Sequence, residues 1–219
     1  MAEEHVYQFG DKYFYLPDAD VDCIQGCIVG GRNYWDMAAH NIIDKYLEDD
    51  SIIMDIGANI GSHTVYWAKE RNAYKVYSFE PFKRVFDILK RNVELNSLQD
   101  KVTIFNSGCS DEEVHANPGS VHECNLGGTS FVKDSSGVAL LKPLDSYGIT
   151  DYIDLIKIDV EGAEVEVLKG AMETLIDCKP VLVIESFHRK EEVESVIFPL
   201  GYKLVDTIRE GEDYIYMCD

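Results

Sequence analysis

A chain of 219 residues with 46% hydrophobic and 27% charged residues has the balance of a globular protein and the length for one α/β core. Its 40 acidic residues outweigh 20 basic ones, a formal charge of −20, which argues against the clustered Lys and Arg that nucleic-acid binding needs. No segment approaches the roughly 18 apolar residues of a membrane span. The acidic start, Met1-Ala-Glu-Glu-His5, lacks the pattern of a secretory leader, so a cytoplasmic location is expected.

In chain order, residues 1–34 are rich in aromatics (Tyr7, Phe9, Tyr13, Phe14, Tyr15, Tyr34) and read as an extension of short strands and turns. Gly30-Gly31 breaks the chain before a helix near 35–47, and Tyr34 and Trp35 are candidates to wall a ligand. An α/β alternation follows over strand 51–56, helix 61–71, strand 74–79, helix 82–96 and strand 102–106. Asn72 and Asn96 stand where those helices should stop, as residues that tolerate left-handed backbone. The basic pairs Lys83-Arg84, Lys90-Arg91 and Arg189-Lys190 read as solvated helix faces.

The first strand of this series ends in Asp55 and a turn carrying Gly57, Ala58, Asn59 and Gly61. Such a turn before a helix lets backbone approach a ligand and directs free N–H groups at it. The next strand ends in Glu80-Pro81, where a carboxylate is placed to accept hydrogen bonds from a ribose diol. Ser107 and Gly108 follow the third strand and are candidates to meet an adenine edge. A nucleoside-containing cofactor is therefore expected. A nicotinamide fingerprint would need glycines where Asn59 and Ser62 stand, and no Gly-Lys-Ser/Thr follows to make a P-loop. The pattern Asp55-x-Gly57-x-Asn59-x-Gly61 instead resembles the first motif of class I S-adenosylmethionine methyltransferases.

Residues 107–143, with Gly108, Gly119, Gly127, Gly128 and Gly137, interrupt the rhythm and read as an irregular insertion, a lid or binding loop. Beyond it come strand Ile153–Ile158, whose lysine is Lys157, then Asp159-Val-Glu161-Gly162 and a helix over 163–176. Strand Val181–Ile184, helix 189–198, strand Tyr202–Val205 and a closing hairpin around Gly211 complete the chain. This order predicts a mostly parallel sheet with helices on both faces and an antiparallel last strand. The expected fold is α/β, a Rossmann-like sheet of seven strands, with the domain spanning 35–219. Ligands in such sheets bind beyond the C-terminal strand ends. Asp55, Glu80, Ser107, Asp159 and Glu185 all end predicted strands.

Several blocks together resemble the FkbM-type S-adenosylmethionine-dependent methyltransferases. They are Gly31-Arg-Asn-Tyr34-Trp35, Asp55 to Gly61, Phe79-Glu-Pro81, Asn92-Val-Glu-Leu-Asn96, Asn125-Leu-Gly-Gly-Thr-Ser130, Leu144-Asp145, Ile153 to Glu164 and Val167-Leu-Lys-Gly170. The resemblance covers about residues 30–188 and implies methyl transfer to a hydroxyl of a glycan or other small molecule. N-methylation and a non-catalytic binding module remain alternatives.

A hydroxyl acceptor needs a base within hydrogen-bond reach. Asp159, Glu161 and His188 are the candidates, and Asp159, Glu185 and His188 form a possible divalent-metal set. Asn125, Thr129, Ser130 and Glu185 are expected to face the acceptor. Six scattered cysteines without a C-x-x-C pair are expected to stay reduced.

Overall fold

The computed structural model describes residues 4–209 and 211–218; Met1, Ala2 and Glu3 of the acidic start, Glu210 of the closing hairpin, and Asp219 lie outside them. The N-terminal strands β1 (Val6–Phe9) and β2 (Lys12–Tyr15) pair as an antiparallel hairpin. Helix α1 (Cys23–Gly31) occupies a region where turns were expected. Its glycines read as breakers, yet Asp22 caps it by accepting from the Gln25 N–H, and Gln25 and Ile28 are buried. Helix α2 (Met37–Ile43) matches the helix expected near 35–47.

The regular α/β series runs β3 (Ile52–Ile56), α3 (Ser62–Lys69), β4 (Lys75–Phe79), α4 (Lys83–Leu95) and β5 (Val102–Phe105). The next stretch is ordered rather than irregular. Strands β6 (Gly108–Cys109), β7 (Val114–Pro118), β8 (Phe131–Lys133) and β9 (Ala139–Lys142) form a four-stranded sheet in the order β6-β9-β7-β8. Then come β10 (Leu155–Ile158), α5 (Glu164–Lys169), α6 (Met172–Cys178), β11 (Val181–Glu185), α7 (Lys190–Ile197), β12 (Tyr202–Ile208) and β13 (Asp213–Cys218). The single helix expected over 163–176 is divided at Gly170. A side chain there would sit 1.9 Å from the Ser110 carbonyl, so the break lets the chain pass close against β6 and its exit.

The central sheet has the order β12-β13-β11-β10-β3-β4-β5, parallel throughout except for β13. Alternate residues face opposite sides. Ile53, Val76, Leu155 and Val183 join α3 and α4 in one core, while Ile56, Phe79, Ile156 and Ile184 join α5, α6 and α7 in the other. Strand order reverses between β3 and β10, which places the expected ligand crevice at their C-terminal ends.

The N-terminal hairpin is fastened to α4 by two asparagines. Asn92 accepts from the Tyr15 N–H at 2.6 Å and donates to the Ile60 carbonyl at 2.8 Å. Asn96 accepts from the Tyr13 N–H and donates to the Tyr13 carbonyl. The left-handed residue after α4 is therefore Ser97 (φ 56°), not Asn96, whereas Asn72 does adopt it (φ 50°). Among the described residues no helix is long and apolar enough to cross a membrane, and no disulfide joins any of the six cysteines.

Candidate active site

A cavity of about 430 Å3 lies over the C-terminal ends of β3, β4, β10 and β11, within the range of ligand pockets. Its floor begins with the turn after β3. Gly57 (φ 83°) must be glycine, because a side chain there would meet the Asp159 carbonyl at 1.7 Å. The N–H groups of Gly57 and Ala58 both donate to the Phe79 carbonyl at 3.0 Å, and that of Gly61 donates to the Ala58 carbonyl. The turn's first amides are thus held by β4 and by the turn itself, not directed at a ligand as expected. Its contribution to the cavity is the close approach of backbone and the Asn59 side chain.

Asp55 is fully buried behind this turn. It accepts from Thr64 Oγ1 at 2.6 Å, and Thr64 in turn meets Ser78 Oγ at 2.8 Å. Asp55 stands level with Ser78 on β4 and Lys157 on β10, so a buried polar row crosses three strands below the cavity. Burial raises the Asp55 carboxyl, opposed by Lys157 and the Thr64 bond. Asp55 braces the turn from beneath and does not line the cavity; nor do Ala58 and Gly61, whose neighbourhood packs against Leu89 of α4.

At the β4 side, Glu80 lines the cavity with Pro81 and Gly108. Its Oε2 accepts from the Asn59 N–H at 3.0 Å and its Oε1 from the Phe82 N–H at 2.7 Å. Each oxygen retains further acceptor capacity. Burial pushes the Glu80 carboxyl up to about 7, with Asp159 and Asp55 adding and the two backbone bonds opposing. Ser107 is turned away from the cavity lining, its Oγ accepting from the Tyr147 hydroxyl at 2.8 Å.

At the β10 and β11 side, Asp159, Glu161 and Glu185 each place a carboxylate oxygen within 4.8 Å of the others. Lys157, 6% exposed, donates to Asp159 at 2.9 Å, and Arg209 donates to Glu185 at 2.6 Å and to Asp213 at 2.7 Å. Burial works against ionisation of both Asp159 and Glu185, yet Lys157 holds Asp159 below the usual carboxylate range. Glu185 goes the other way, raised by burial and by its hydrogen bond with Asp159, so the pair shares a proton that rests on Glu185. His188 does not join this group. It is exposed and outside the cavity lining, its ring centre 6.5 Å from that of Phe187. An all-oxygen set suits a hard divalent cation, and the Lys157 ammonium is the positive charge already beside it.

The roof comes from two distant segments. Asn125 and Thr129 line the cavity, together with Leu126, Gly127 and Gly128, while Ser130 is exposed and outside it. Cys23 and Ile24 of α1 line it beside them. The two segments are joined by the Cys23 N–H donating to the Cys124 carbonyl at 2.8 Å and by Asp22, whose Oδ2 accepts from the Leu126 N–H at 2.9 Å. Arg84 bridges Asp18 and Glu123 alongside. Of the two aromatics proposed as walls, Trp35 lines the cavity, whereas Tyr34 is packed in the core against Phe14 and Tyr66.

Asp22, Phe187 and Arg209 were not anticipated. Arg209 reaches the cavity from the closing hairpin through the pairing of Glu185 with Asp213, which no local pattern announces. Asp22 is 3% exposed and satisfies both the first turn of α1 and the roof loop. Asp22→Ala is therefore expected to cost about 2–3 kcal/mol by stranding two N–H groups. Denaturant midpoints check this, and limited proteolysis should cut faster within 122–129.

The family profile described as the methyltransferase FkbM domain matches residues 55–214. Among curated proteins, the chain is 28% identical over 141 residues to the hexuronic acid methyltransferase AglP of Haloferax volcanii, covering 62% of this chain and 56% of that protein. It is 27% identical over 197 residues to methyltransferase sdnD of Sordaria araneosa, covering 72% and 76%. Among solved structures, a methyltransferase FkbM from Methylobacillus flagellatus KT superposes with a TM-score of 0.57 at 18% identity, over 78% of this chain and 44% of that one. A Streptococcus pneumoniae protein described as a putative tRNA (m1A22) methyltransferase gives 0.55 at 12% identity, over 82% and 67%. The chain thus spans just over half the length of AglP and less than half of the M. flagellatus protein.

Proposed function

This chain belongs to the FkbM methyltransferase family, and on that premise we propose that it transfers a methyl group from S-adenosylmethionine to a hydroxyl oxygen of a small-molecule or glycan acceptor. Neither nucleic acid nor membrane is a partner in this reading. The observation that carries it is the cavity running from Glu80, at one side of the strand-order reversal, to the Asp159–Glu185 pair at the other.

S-adenosylmethionine supplies an electrophilic methyl group on a sulfonium. In this proposal Glu80 accepts from the ribose diol, Pro81 and Gly108 flank the adenine, and Gly57 and Asn59 pass close to the methionine portion. That leaves the carboxylate end to the acceptor. Lys157 keeps Asp159 ionised, so Asp159 can take the acceptor hydroxyl proton. With S-adenosylmethionine bound, its methyl carbon would be open to the acceptor oxygen and its sulfur would leave with the electron pair, while Asp159 would hold the proton released. The roof of α1 and residues 125–129 keeps water from competing as acceptor.

Titration calorimetry with S-adenosylmethionine, and NAD as the control, tests the reading. Micromolar binding of the first and no heat from the second is the expected result. Heat from NAD alone would overturn it.

A further inference from the structure

The cavity's acceptor end holds more negative charge than its own cations balance. Five carboxylates gather there, Asp36, Asp159, Glu161, Glu185 and Asp213, around Lys157 and Arg209. Both cations are engaged: Lys157 with Asp159, Arg209 with Glu185 and Asp213 and, at 3.6 Å, with Asp36. Five carboxylates around two cations leave the ensemble net negative.

Glu161 is the member that faces incoming molecules. It is exposed, lines the cavity and makes no hydrogen bond or ion pair among the described residues. Its backbone is left-handed (φ 54°), a strained state for a non-glycine residue, and Gly162 follows at φ 99°. The chain thus holds a third carboxylate within 4.8 Å of two others at a conformational cost. Nearby, Phe187 lines the cavity while 55% exposed, an aromatic face suited to an uncharged ring.

We propose, resting on the methyltransferase reading above, that this end of the cavity admits neutral or cationic hydroxyl-bearing acceptors and rejects those with a carboxylate or phosphate near the reacting hydroxyl. Glu161 is the residue that sets this preference. A like charge brought within a few ångströms of Glu161 and Asp159 is repelled by at least tenfold in affinity even with substantial screening.

The test needs no knowledge of the acceptor. Two S-adenosylmethionine analogues of equal size carry S-carboxymethyl or S-carbamoylmethyl in place of the methyl group, and their affinities are measured by calorimetry. The carboxymethyl analogue is expected to bind at least tenfold more weakly, with the gap narrowing in Glu161→Gln and at high salt. A smaller pair covers the case in which neither analogue fits. S-adenosylhomocysteine is compared with the analogue bearing a primary amine at the methyl position, and the amine is expected to bind at least tenfold tighter. Equal or tighter binding of the carboxymethyl analogue would overturn the inference, as would its preference after adding Mg2+, or no gain from the amine. Failure of S-adenosylmethionine itself to bind is a different result, which removes the cofactor reading and this inference with it.

Discussion

Glu80→Ala is expected to weaken S-adenosylmethionine binding at least 100-fold. A ribose diol donating to a carboxylate makes charge-assisted bonds, each about 1.5–3 kcal/mol, so losing two removes two or more decades of affinity. The alanine also strands the Asn59 and Phe82 N–H groups, which now donate to the two oxygens, so its melting temperature should fall too. Glu80→Gln separates charge from shape and is the control for binding. The pH dependence gives a sharper signature. Burial holds this carboxyl up at about 7, against 4.5 for an ordinary glutamate, so the folded protein binds more protons between those two values than the unfolded chain does. Glu80's contribution to stability is therefore fully present below about pH 4.5 and is lost as pH rises through about 7, a difference of roughly 3 kcal/mol. Cofactor affinity should run the other way, climbing across pH 6–8 as the better acceptor, the carboxylate, is populated. Calorimetry over that range should give a rising curve for the natural protein and a flat one for Glu80→Gln. A flat curve for both would remove Glu80 from the ribose contact.

That opposition of stability and binding at one residue bears on what a sequence can reveal. Glu80, Asp159 and Glu185 are legible because an apolar run ending in an acid marks a strand end, and parallel strands bring such ends to one edge. Asp55 was read by the same pattern, yet β3 runs on to Ile56 and Asp55 is level with Ser78 and Lys157, two residues short of Glu80 and Asp159, so it lies below the turn. The alternation after residue 51 made the central sheet readable. The small sheet of β6 to β9 was not, because its strands are two to five residues long and mostly half-buried or exposed, without a long apolar run. Helix α1 was hidden by Gly26, Gly30 and Gly31, although Asp22 three residues before Gln25 is a capping signal. Lys157 offered the clearest unused clue. A lysine inside an otherwise apolar central strand must find carboxylates, and its partners are the acids of the site.

Those partners give the second large effect. Asp159→Asn is expected to lower turnover about 100- to 10,000-fold, the usual contribution of a positioned general base. The measurement is S-adenosylhomocysteine formation with any hydroxylated acceptor that the natural protein methylates. Affinity for S-adenosylmethionine should change by no more than a few-fold, because Glu80, the proposed ribose contact, lies on the other side of the strand-order reversal. The Lys157 ammonium holds Asp159 ionised at neutral pH, so the natural protein's base is available throughout pH 6–8 and contributes no inflection there. Glu185 carries the pair's proton and cannot substitute until Asp159 is neutral. In Asp159→Asn the negative charge that balances Lys157 and Arg209 falls to Glu185, and any residual activity should rise as Glu185 loses its proton. A residual rate that climbs with pH while the natural rate at saturating cofactor stays level would identify the pair as the proton acceptor. Full activity in Asp159→Asn with collapse in Glu161→Gln would move that role to Glu161, the carboxylate without a cation beside it.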